Sequence, residues 1–395
     1  MSETILVVHR RAVDPIRRGH PWVYREAILR AHGPSAPGTV VELRGEDDSR
    51  LGYGVHDPTS PLAVRVWGGR RPDGPLFAER LERAFRLRRR LFADGGTTAY
   101  RMLNGEGDRA PGLVIDRYGD VAVLRTDGEG ARVLAMRSRG ELEQAARREG
   151  VATLVWRAST KGERKDRDVL FGPSPPDTIL VAEHSVPFEV DLASGQKTGA
   201  FLDQRENRRR VGLLARSLGA EGRGVRVLNL FSYAGGFSLH AALTGASTTS
   251  VDVAPLAHRT AQASFRAAGL DLKGHAFIAA DAHTFLAEAR KKGSRWDIVI
   301  SDPPSFAPSE RSLSRALSAY RALHQAAAAV LSEDGVLCAA SCSSHVTQAA
   351  FAETLDDCAL GRGDLRLLEL HGPPEDHPTL PSFPEGRYLK FAVLA

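Results

Sequence analysis

The fold is decided by one stretch of sequence, Val227-Leu228-Asn229-Leu230-Phe231-Ser232-Tyr233-Ala234-Gly235-Gly236-Phe237-Ser238. Its apolar start predicts a strand, its small residues predict a turn, and its last residues begin a helix. Glycines at such a turn let the backbone approach a ligand closely, as at the first turn of doubly wound α/β folds. Because the glycines do not follow the G-x-G-x-x-G spacing, a dinucleotide is not the predicted ligand.

Strands and helices alternate around this stretch, from residue 186 to residue 395. Such alternation is typical of an α/β domain whose parallel sheet carries helices on both faces. The predicted strands are 225–230, 247–253, 276–280, 297–301 and 335–340, with 365–370 and 388–394 closing the sheet. The predicted helices are 203–217, 236–243, 256–268, 282–290, 312–331 and 346–359.

Two regions of different character precede this domain. Residues 1–72 carry short β-like runs at 5–8, 39–43, 51–55 and 62–66, and they predict a small β-rich domain. Residues 73–185 predict an α+β domain with helices at 76–92 and 132–148, a hairpin over 113–124, strands at 153–156 and 178–183, and a charged loop at 161–168. We therefore expect three domains, 1–72, 73–185 and 186–395.

Acidic residues follow three of the predicted strands. Asp252 is placed to accept hydrogen bonds from ribose hydroxyls, and Asp281 to reach an adenine amino group. Asp302 begins the turn Asp302-Pro303-Pro304-Ser305-Phe306, whose prolines fix an extended backbone that could hold a target base. The alternative is that these are ordinary strand-end acids and an ordinary proline turn.

A thiol follows the fifth predicted strand, in Ala340-Ser341-Cys342-Ser343-Ser344. C5 of cytosine is a poor nucleophile, but attack of a thiolate on C6 makes C5 enamine-like and able to take a methyl group from a sulfonium. Cys342, among small residues at a strand end, is the predicted nucleophile, although a cysteine there could also simply fill space. Cys338 and Cys358 are predicted to be buried structural residues.

The composition is that of an ordinary globular protein. In 395 residues there are three cysteines, which cannot form a disulfide framework, so a reducing, cytoplasmic setting is expected. No stretch predicts a membrane span or a signal peptide. No metal site is predicted. The net charge of +5 is compatible with a polyanionic partner, but many proteins without a nucleic-acid role share it.

The motifs together resemble one family. The turn after Leu228, the Asp302-Pro303-Pro304 turn and the Cys342 turn, in this order, look like motifs of class I methyltransferases with a Rossmann-like domain and a seven-stranded mixed sheet. Further stretches resemble the RlmI-type 23S ribosomal RNA cytosine-5 methyltransferases, with a PUA-type RNA-binding domain and a linking domain before the catalytic one. These stretches are Gly19–Val23, Asn104–Asp108, Pro111–Leu113, Gly195–Arg205, His377-Pro378, Ser382–Pro384 and Tyr388–Lys390.

The resemblance implies a cofactor, S-adenosylmethionine, and a substrate, ribosomal RNA. Cys342 would be the nucleophile. Asp302 would lie beside the cofactor and contact the cytosine as a proton donor to N3. Many RNA cytosine-5 methyltransferases carry a second cysteine in the proline turn; here Pro304 and Ser305 stand in its place, a feature that the RlmI type shares. The cofactor pocket would comprise Phe201, Gln204, Arg205, Asn229, Phe231, Ser232, Ala234, Gly235, Asp252, Asp281 and Asp302, and Pro303, Pro304 and Phe306 would contact the base.

Arginines cluster on the first helix of the linking region, among them Arg86 and Arg89. They could track RNA phosphates, as could Arg208, Arg209 and Arg210. The alternative is a solvated helix face with Glu79 and Glu82 as partners. The rings of His20, Trp22 and Tyr24 could stack on bases, although a core position is the more common one for such a tryptophan.

Three interpretations of function stay open on the sequence alone. The first is cytosine-C5 methylation of RNA through Cys342. The second is methyl transfer to an exocyclic nitrogen or another base, which needs no covalent adduct. The third is a non-catalytic RNA-binding protein, which would not retain S-adenosylmethionine. A homodimer would be compatible with all three.

Overall fold

The computed structural model describes residues 4–158, 167–220, 222–307, 309–356, 358 and 362–395. The chain forms two compact units. The N-terminal unit comprises Met1–Ile179, Leu192–Ala200 and Glu375–Gly386, and the C-terminal unit comprises Leu180–Asp191, Phe201–Pro374 and Arg387–Ala395. The boundaries at residues 72 and 185 stay a prediction.

The N-terminal unit begins with a six-stranded sheet in the order β2-β6-β5-β4-β1-β3. Leu6, Val41 and Val64 pack in its core. The four predicted strands are confirmed, whereas β2, β3 and α1 were not predicted, because three to eight residues are too few to show a clear apolar period. The elements are β1 (Thr4–Val8), α1 (Arg10–Arg17), β2 (Trp22–Tyr24), β3 (Ile28–His32), β4 (Thr39–Arg44), β5 (Arg50–His56) and β6 (Leu62–Gly68).

A five-stranded sheet in the order β11-β10-β9-β8-β7 completes this unit. The prediction of one helix over 132–148 is wrong, because Ser138 leaves helical geometry with φ −98° and ψ 26° and separates two helices. Residues 159–166 of the predicted charged loop lie outside the described residues. The elements are α2 (Gly74–Leu91), β7 (Ala99–Asn104), β8 (Leu113–Tyr118), β9 (Val121–Thr126), α3 (Glu129–Arg137), α4 (Arg139–Arg148), β10 (Thr153–Arg157) and β11 (Arg167–Phe171).

The C-terminal unit contains a seven-stranded mixed sheet in the order β16-β15-β14-β17-β18-β20-β19, which confirms the predicted α/β fold. β20 runs antiparallel to both of its neighbours. The elements are β12 (Thr178–Glu183) and β13 (Val186–Asp191), which pair with each other, then α5 (Arg205–Gly219), β14 (Arg226–Leu230), α6 (Gly236–Ala242), β15 (Ser247–Asp252), α7 (Pro255–Ala267), β16 (His275–Ala279), α8 (Ala282–Lys291), β17 (Trp296–Ser301), α9 (Leu313–Ala328), β18 (Leu331–Ser341), α10 (Gln348–Glu353), β19 (Leu367–His371) and β20 (Lys390–Leu394).

Apolar side chains alternate between the two faces of this sheet. Leu228 and Val299 belong to a core shared with residues of α8 and α9, whereas Val227 and Ile298 belong to a second core shared with α5 and α6. The parallel strands β15, β14, β17 and β18 end at the same edge. The strand order reverses between β14 and β17, and ligands of open α/β sheets bind in the crevice at such a point.

Candidate active site

The turn after β14 has an unusual backbone. Phe231 and Tyr233 adopt φ values of 56° and 46°, and Gly235 adopts φ 72°. Positive φ is unfavourable for residues with large side chains, and such strain concentrates at ligand-binding sites. A Cβ atom on Gly235 would lie 2.8 Å from Cβ of Ala261 in α7, so glycine is required for the close approach of the turn to this helix.

Buried polar atoms at the reversal point have no hydrogen-bond partner among the described residues. They are Oδ1 of Asn229 in β14, Oγ of Ser232 just after it, and Oγ of Ser301 at the end of β17. An unsatisfied buried acceptor or donor costs about 1–3 kcal/mol, so three at one sheet edge indicate a polar ligand that satisfies them. Residues predicted for the methionine end of the cofactor therefore fit a bound group.

Two carboxylates, that of Asp252 at the end of β15 and that of Asp281 after β16, differ in their surroundings. Asp252 accepts hydrogen bonds from the backbone N–H groups of Tyr233 and Ala254, at 2.8 and 2.9 Å, which fix its side chain at the crevice. Asp281 is exposed and caps α8, accepting a hydrogen bond from the backbone N–H of Thr284 at 2.9 Å. This bond, together with the Thr284 hydroxyl, lowers the pKa of Asp281, although burial acts in the opposite direction. Its contact with adenine stays a prediction.

A chain of amides connects α5 with the turn after β17. The side-chain amide of Asn207 donates to Oε1 of Gln204 at 2.5 Å, and Nε2 of Gln204 donates to Oδ2 of Asp302 at 2.9 Å. Gln204 is 3% exposed, so this bond is shielded from water. The predicted pair Gln204 and Asp302 is thus brought together, and the hydrogen bond fixes the orientation of the Asp302 side chain.

Two other residues predicted from the same segment have different surroundings. The ring of Phe201 lies 5.2 Å from that of Tyr233, in an edge-to-face contact at the strained turn. Arg205 is 1% exposed and donates to Glu206 at 2.9 Å. Burial works to raise the pKa of Glu206, but the hydrogen bond with His184 and the charge of Arg205 lower it to about 2. Arg205 thus pairs with Glu206 at the start of α5, and its contact with the cofactor stays a prediction.

The Cys342 turn is tied to the proline turn by hydroxyl groups. Oγ of Ser343 lies 2.9 Å from Oγ of Ser305 and 3.1 Å from the hydroxyl of Tyr320 in α9. Oγ of Ser341 donates to the same Tyr320 hydroxyl at 2.9 Å. Burial and the nearby Cys342 raise the pKa of Tyr320, so this hydroxyl remains protonated. The network holds the two turns, which carry Asp302 and Cys342, side by side.

The three cysteines differ in exposure as the sequence predicts. Cys342 is partly exposed, whereas Cys338 and Cys358 are buried. Burial raises the pKa of Cys338 to about 12, which makes it an unreactive thiol.

In the neighbouring turn Pro303 is buried, Pro304 is exposed, and Phe306 is half-buried with its ring 4.8 Å from that of Tyr320.

Four of the arginines predicted to contact RNA, Arg86, Arg89, Arg208 and Arg210, are engaged with carboxylates. Glu82 pairs with Arg86 at 3.6 Å and with Arg89 at 2.7 Å, and Arg89 also pairs with Glu149. Arg88, on the same helix, is 1% exposed and cannot reach a phosphate. Arg208 is likewise buried and donates to Glu183 at 2.8 Å. For the exposed arginines of this helix, a solvated face paired with glutamates therefore stays an alternative to RNA contact.

The aromatic residues of β2 take part in a cluster of the N-terminal unit. Trp22 donates through Nε1 to Glu106 at 2.8 Å, and its ring lies 4.6 Å from that of Phe383. His20 packs on the same Phe383 ring, whereas Tyr24 is exposed. Trp22 therefore has a structural role. This was one of the two roles that the sequence left open, the other being base stacking.

Sequence reasoning missed two residues at the Cys342 turn, Tyr320 and Lys390. Tyr320 lies inside α9 and Lys390 is the first residue of β20, so neither follows the carboxyl end of a parallel strand. In addition, no helix of the described residues is long and apolar enough to cross a membrane. Within the same residues no group of three or more His, Cys, Asp or Glu side chains is arranged to hold a metal ion.

Comparisons with known proteins place this geometry in a family. The family model for S-adenosylmethionine-dependent methyltransferases matches residues 157–382, and that for PUA-like domains matches residues 6–68. The "Ribosomal RNA large subunit methyltransferase" of Deinococcus radiodurans is 38% identical over 98% of this chain and 96% of its own length. The "Ribosomal RNA large subunit methyltransferase I" of Aeromonas salmonicida is 34% identical over 100% of this chain and 99% of its own length.

A solved structure agrees over the full length. A protein named as a methyltransferase, in complex with SAH, has a TM-score of 0.85 and 26% sequence identity, covering 99% of this chain and 100% of that chain. The cofactor is accordingly S-adenosylmethionine, which fits the unsatisfied polar atoms at the reversal point of the sheet. The resemblance inferred from the motifs is confirmed: this chain belongs to the S-adenosylmethionine-dependent methyltransferases, in the group whose curated members are named ribosomal RNA large subunit methyltransferase I.

Proposed function

We propose that this protein methylates C5 of a cytosine in ribosomal RNA. Asp302 contacts the base, and a covalent bond to Cys342 activates it. The single observation that carries the proposal is the position of a partly exposed thiol in a turn that hydroxyl groups fasten to the Asp302 turn. The names of the relatives support ribosomal RNA as the substrate. Within the large subunit, the 23S molecule is the proposed substrate.

The proposed reaction begins and ends with the thiolate of Cys342. The Cys342 thiolate adds to C6 of cytosine, so a sulfur–carbon bond forms and the electrons of the C5–C6 double bond become available at C5. When bound, S-adenosylmethionine would supply the methyl group as an electrophilic sulfonium: C5 would gain the methyl group while the methyl–sulfonium bond breaks, and S-adenosylhomocysteine would be the leaving group. Loss of the C5 proton to a base then restores the double bond and breaks the bond from C6 to sulfur, which regenerates the thiolate.

The other residues act by binding and orientation. Asn229, Phe231, Ser232, Ala234 and Gly235 line the methionine end of the cofactor site, and Phe201, Gln204 and Arg205 help to shape the pocket. Asp252 holds the ribose, and Asp281 faces the adenine end. Gln204 orients Asp302, which hydrogen-bonds to the Watson–Crick edge of the cytosine. Pro303, Pro304 and Phe306 form the wall against which the base packs, and Arg86 and Arg89 contact phosphates of the RNA.

The test is a covalent trap. Ribosomal RNA transcribed with 5-fluorocytidine is incubated with the full-length protein and S-adenosylmethionine. Because fluorine cannot leave as a proton does, a C5 enzyme accumulates as a protein–RNA adduct at Cys342, detected by denaturing gel and by mass spectrometry of the peptide. A verified RNA substrate that is methylated without forming this adduct would overturn the proposal.

Substitution of the thiol separates the two enzymatic interpretations. Cys342→Ala should abolish both the adduct and methyl transfer, with S-adenosylmethionine binding retained. Ser344→Ala is the matched control, because Ser344 is exposed in the same turn and carries no assigned role. If Cys342→Ala keeps the methylation rate of the unaltered protein, the target is an exocyclic nitrogen or another base instead.

A further inference from the structure

The last strand of the sheet places a buried ammonium group against the Cys342 turn. Lys390 begins β20 and lies opposite Ser341 in the antiparallel register with β18, one residue before the thiol. Its side chain is almost wholly buried, with the residue 2% exposed. A lysine is rarely this buried unless its charge is compensated or used, because moving an ammonium group out of water costs several kcal/mol.

Three backbone carbonyl groups receive the three protons of this ammonium. Nζ of Lys390 donates to the carbonyl oxygens of Ser343 at 2.6 Å, Val346 at 2.8 Å and Tyr388 at 2.7 Å. Two of these carbonyls belong to the segment that follows Cys342. The ammonium therefore fixes the path of the backbone that carries the sulfur, and its donors are all occupied by neutral acceptors.

No carboxylate compensates the charge in the contacts that the structure describes. Burial lowers the pKa of Lys390 to about 8, and the nearby Cys342 acts in the opposite direction, so the ammonium is still charged at neutral pH. Tyr320 on α9 bonds to Ser341 and Ser343, and the ring of His324 lies 5.8 Å from that of Tyr320. Further titratable side chains nearby in the fold or sequence are those of His345, Asp302 and Tyr388, whose carbonyl accepts from Lys390. Burial raises the pKa of Tyr320 and lowers that of His324 to about 4, so both are neutral.

We propose that Lys390 is a positioning residue for Cys342, whose buried positive charge favours the thiolate and whose hydrogen bonds hold the sulfur at the entrance to the site. This inference deepens the proposed function and rests on it, because it assigns a means of activation to the proposed nucleophile. A cation near a thiol stabilises the thiolate, which is the form that attacks carbon. The same charge would receive the sulfur as an anion when the bond to C6 breaks.

Alkylation of the thiol tests this without any methyl transfer. Full-length protein is treated with iodoacetamide over the pH range in which thiols titrate, and mass spectrometry follows modification of Cys342, since Cys338 and Cys358 are buried. Lys390→Met removes the charge and the donors, and Lys390→Gln removes the charge but keeps two N–H donors. In both variants we expect the pH of half-maximal alkylation to rise by about one unit and the rate at neutral pH to fall about tenfold.

Two matched variants separate charge from packing. Phe391→Leu makes a small cavity at the next, fully buried position of β20, and Lys273→Met removes the charge of an exposed lysine. Neither should move the pH of half-maximal alkylation, even where Phe391→Leu lowers the unfolding temperature as far as Lys390→Met does. In turnover, Lys390→Gln should lower kcat with little change in the KM for RNA.

The outcomes are distinguishable from failure of the proposed function. If Cys342→Ala retains C5 methylation, the proposed function is wrong whatever Lys390 does. If Cys342 is required but both Lys390 variants alkylate with the pH profile of the unaltered protein, only the role of Lys390 is wrong. Should neither variant fold, the unaltered protein decides: a Cys342 that titrates no lower in the folded protein than in the urea-denatured chain would overturn the inference.

Discussion

Gly235 has only a hydrogen atom where other residues carry a side chain. This allows the turn after β14 to approach α7 closely. Gly235→Ala combines a strained backbone at φ 72° with a contact of 2.8 Å to Ala261. We expect a loss of about 1–3 kcal/mol in the free energy of unfolding and at least tenfold weaker binding of S-adenosylmethionine. Denaturant unfolding and titration calorimetry measure the two effects.

The matched control is Gly245→Ala. Gly245 also has a positive φ, at 92°, but a Cβ atom there would meet nothing within 4 Å. It should lose stability through backbone strain alone and bind the cofactor normally. Equal weakening of cofactor binding by both variants would mean that the close approach at Gly235 has no special role.

Residues next to strand ends are the part of the site that the sequence predicts well. Asp252 and Asp302 follow buried strands, and the carboxyl ends of parallel strands must meet at one edge. Tyr320 and Lys390 lie in the middle of a helix and at the start of an antiparallel strand, and only long-range packing brings them to Cys342. Arg88 is the opposite case. The charged helix predicts an exposed arginine, but Arg88 is buried because the fold brings Asp108 to 2.8 Å from it. The local charge pattern does not show a partner that is distant in sequence.

At the scale of elements, α9 is the support of the Cys342 turn. Its Tyr320 hydroxyl lies within hydrogen-bond distance of Ser341 and Ser343. Tyr320→Phe should therefore loosen the turn, lowering kcat about tenfold because small displacements of a reacting group are costly, while cofactor affinity stays unchanged. Single-turnover methylation and equilibrium binding of S-adenosylmethionine provide the two measurements.

Ser318→Ala is the control for this prediction. Ser318 lies on the same helix, is exposed, and donates only to the backbone of Ser314, at 3.2 Å, in the contacts described. It should leave kcat unaltered. A Tyr320→Phe protein with full activity would show that the hydroxyl network does not position the thiol.

The elements themselves were predicted where the hydrophobic period was long and regular. The strands and helices of the C-terminal unit carry such a period, and the sequence placed all seven strands of its sheet. The strand β2 has three residues, too few to show a period, and α3 and α4 were merged because their apolar spacing continues across Ser138. Element boundaries depend on backbone geometry at single residues, which apolar spacing does not record.

For the whole molecule, the order of segments along the chain predicts that a contiguous N-terminal fragment does not fold normally. A fragment of residues 1–185 lacks Thr198, which donates to Asp116 at 2.6 Å, and Asp376, whose carbonyl accepts from buried Arg88 at 2.5 Å. Each unpaired buried group costs about 1–3 kcal/mol. We expect no cooperative thermal transition by circular dichroism, in contrast to the full-length chain.

A longer fragment grades this prediction. Residues 1–200 restore Thr198 but still lack residues 375–386, whose Pro378 carbonyl accepts from Asn104 at 2.8 Å. This fragment should be more compact than 1–185 and still less stable than the full-length chain. A 1–185 fragment that melts cooperatively at the midpoint of the intact protein would contradict the assignment of these segments to the N-terminal unit.

The interleaving of the two units also constrains how the protein is made. A ribosome releases the chain from its N-terminus, yet the segment Glu375–Gly386 of the N-terminal unit emerges only after nearly all of the C-terminal unit has been synthesised. The usual order, in which a first domain finishes folding while the next is being translated, is closed to this nascent chain. We therefore expect that neither unit completes its folding until Glu375–Gly386 and Arg387–Ala395 have been synthesised, and that a single continuous gene segment would not encode either unit in full.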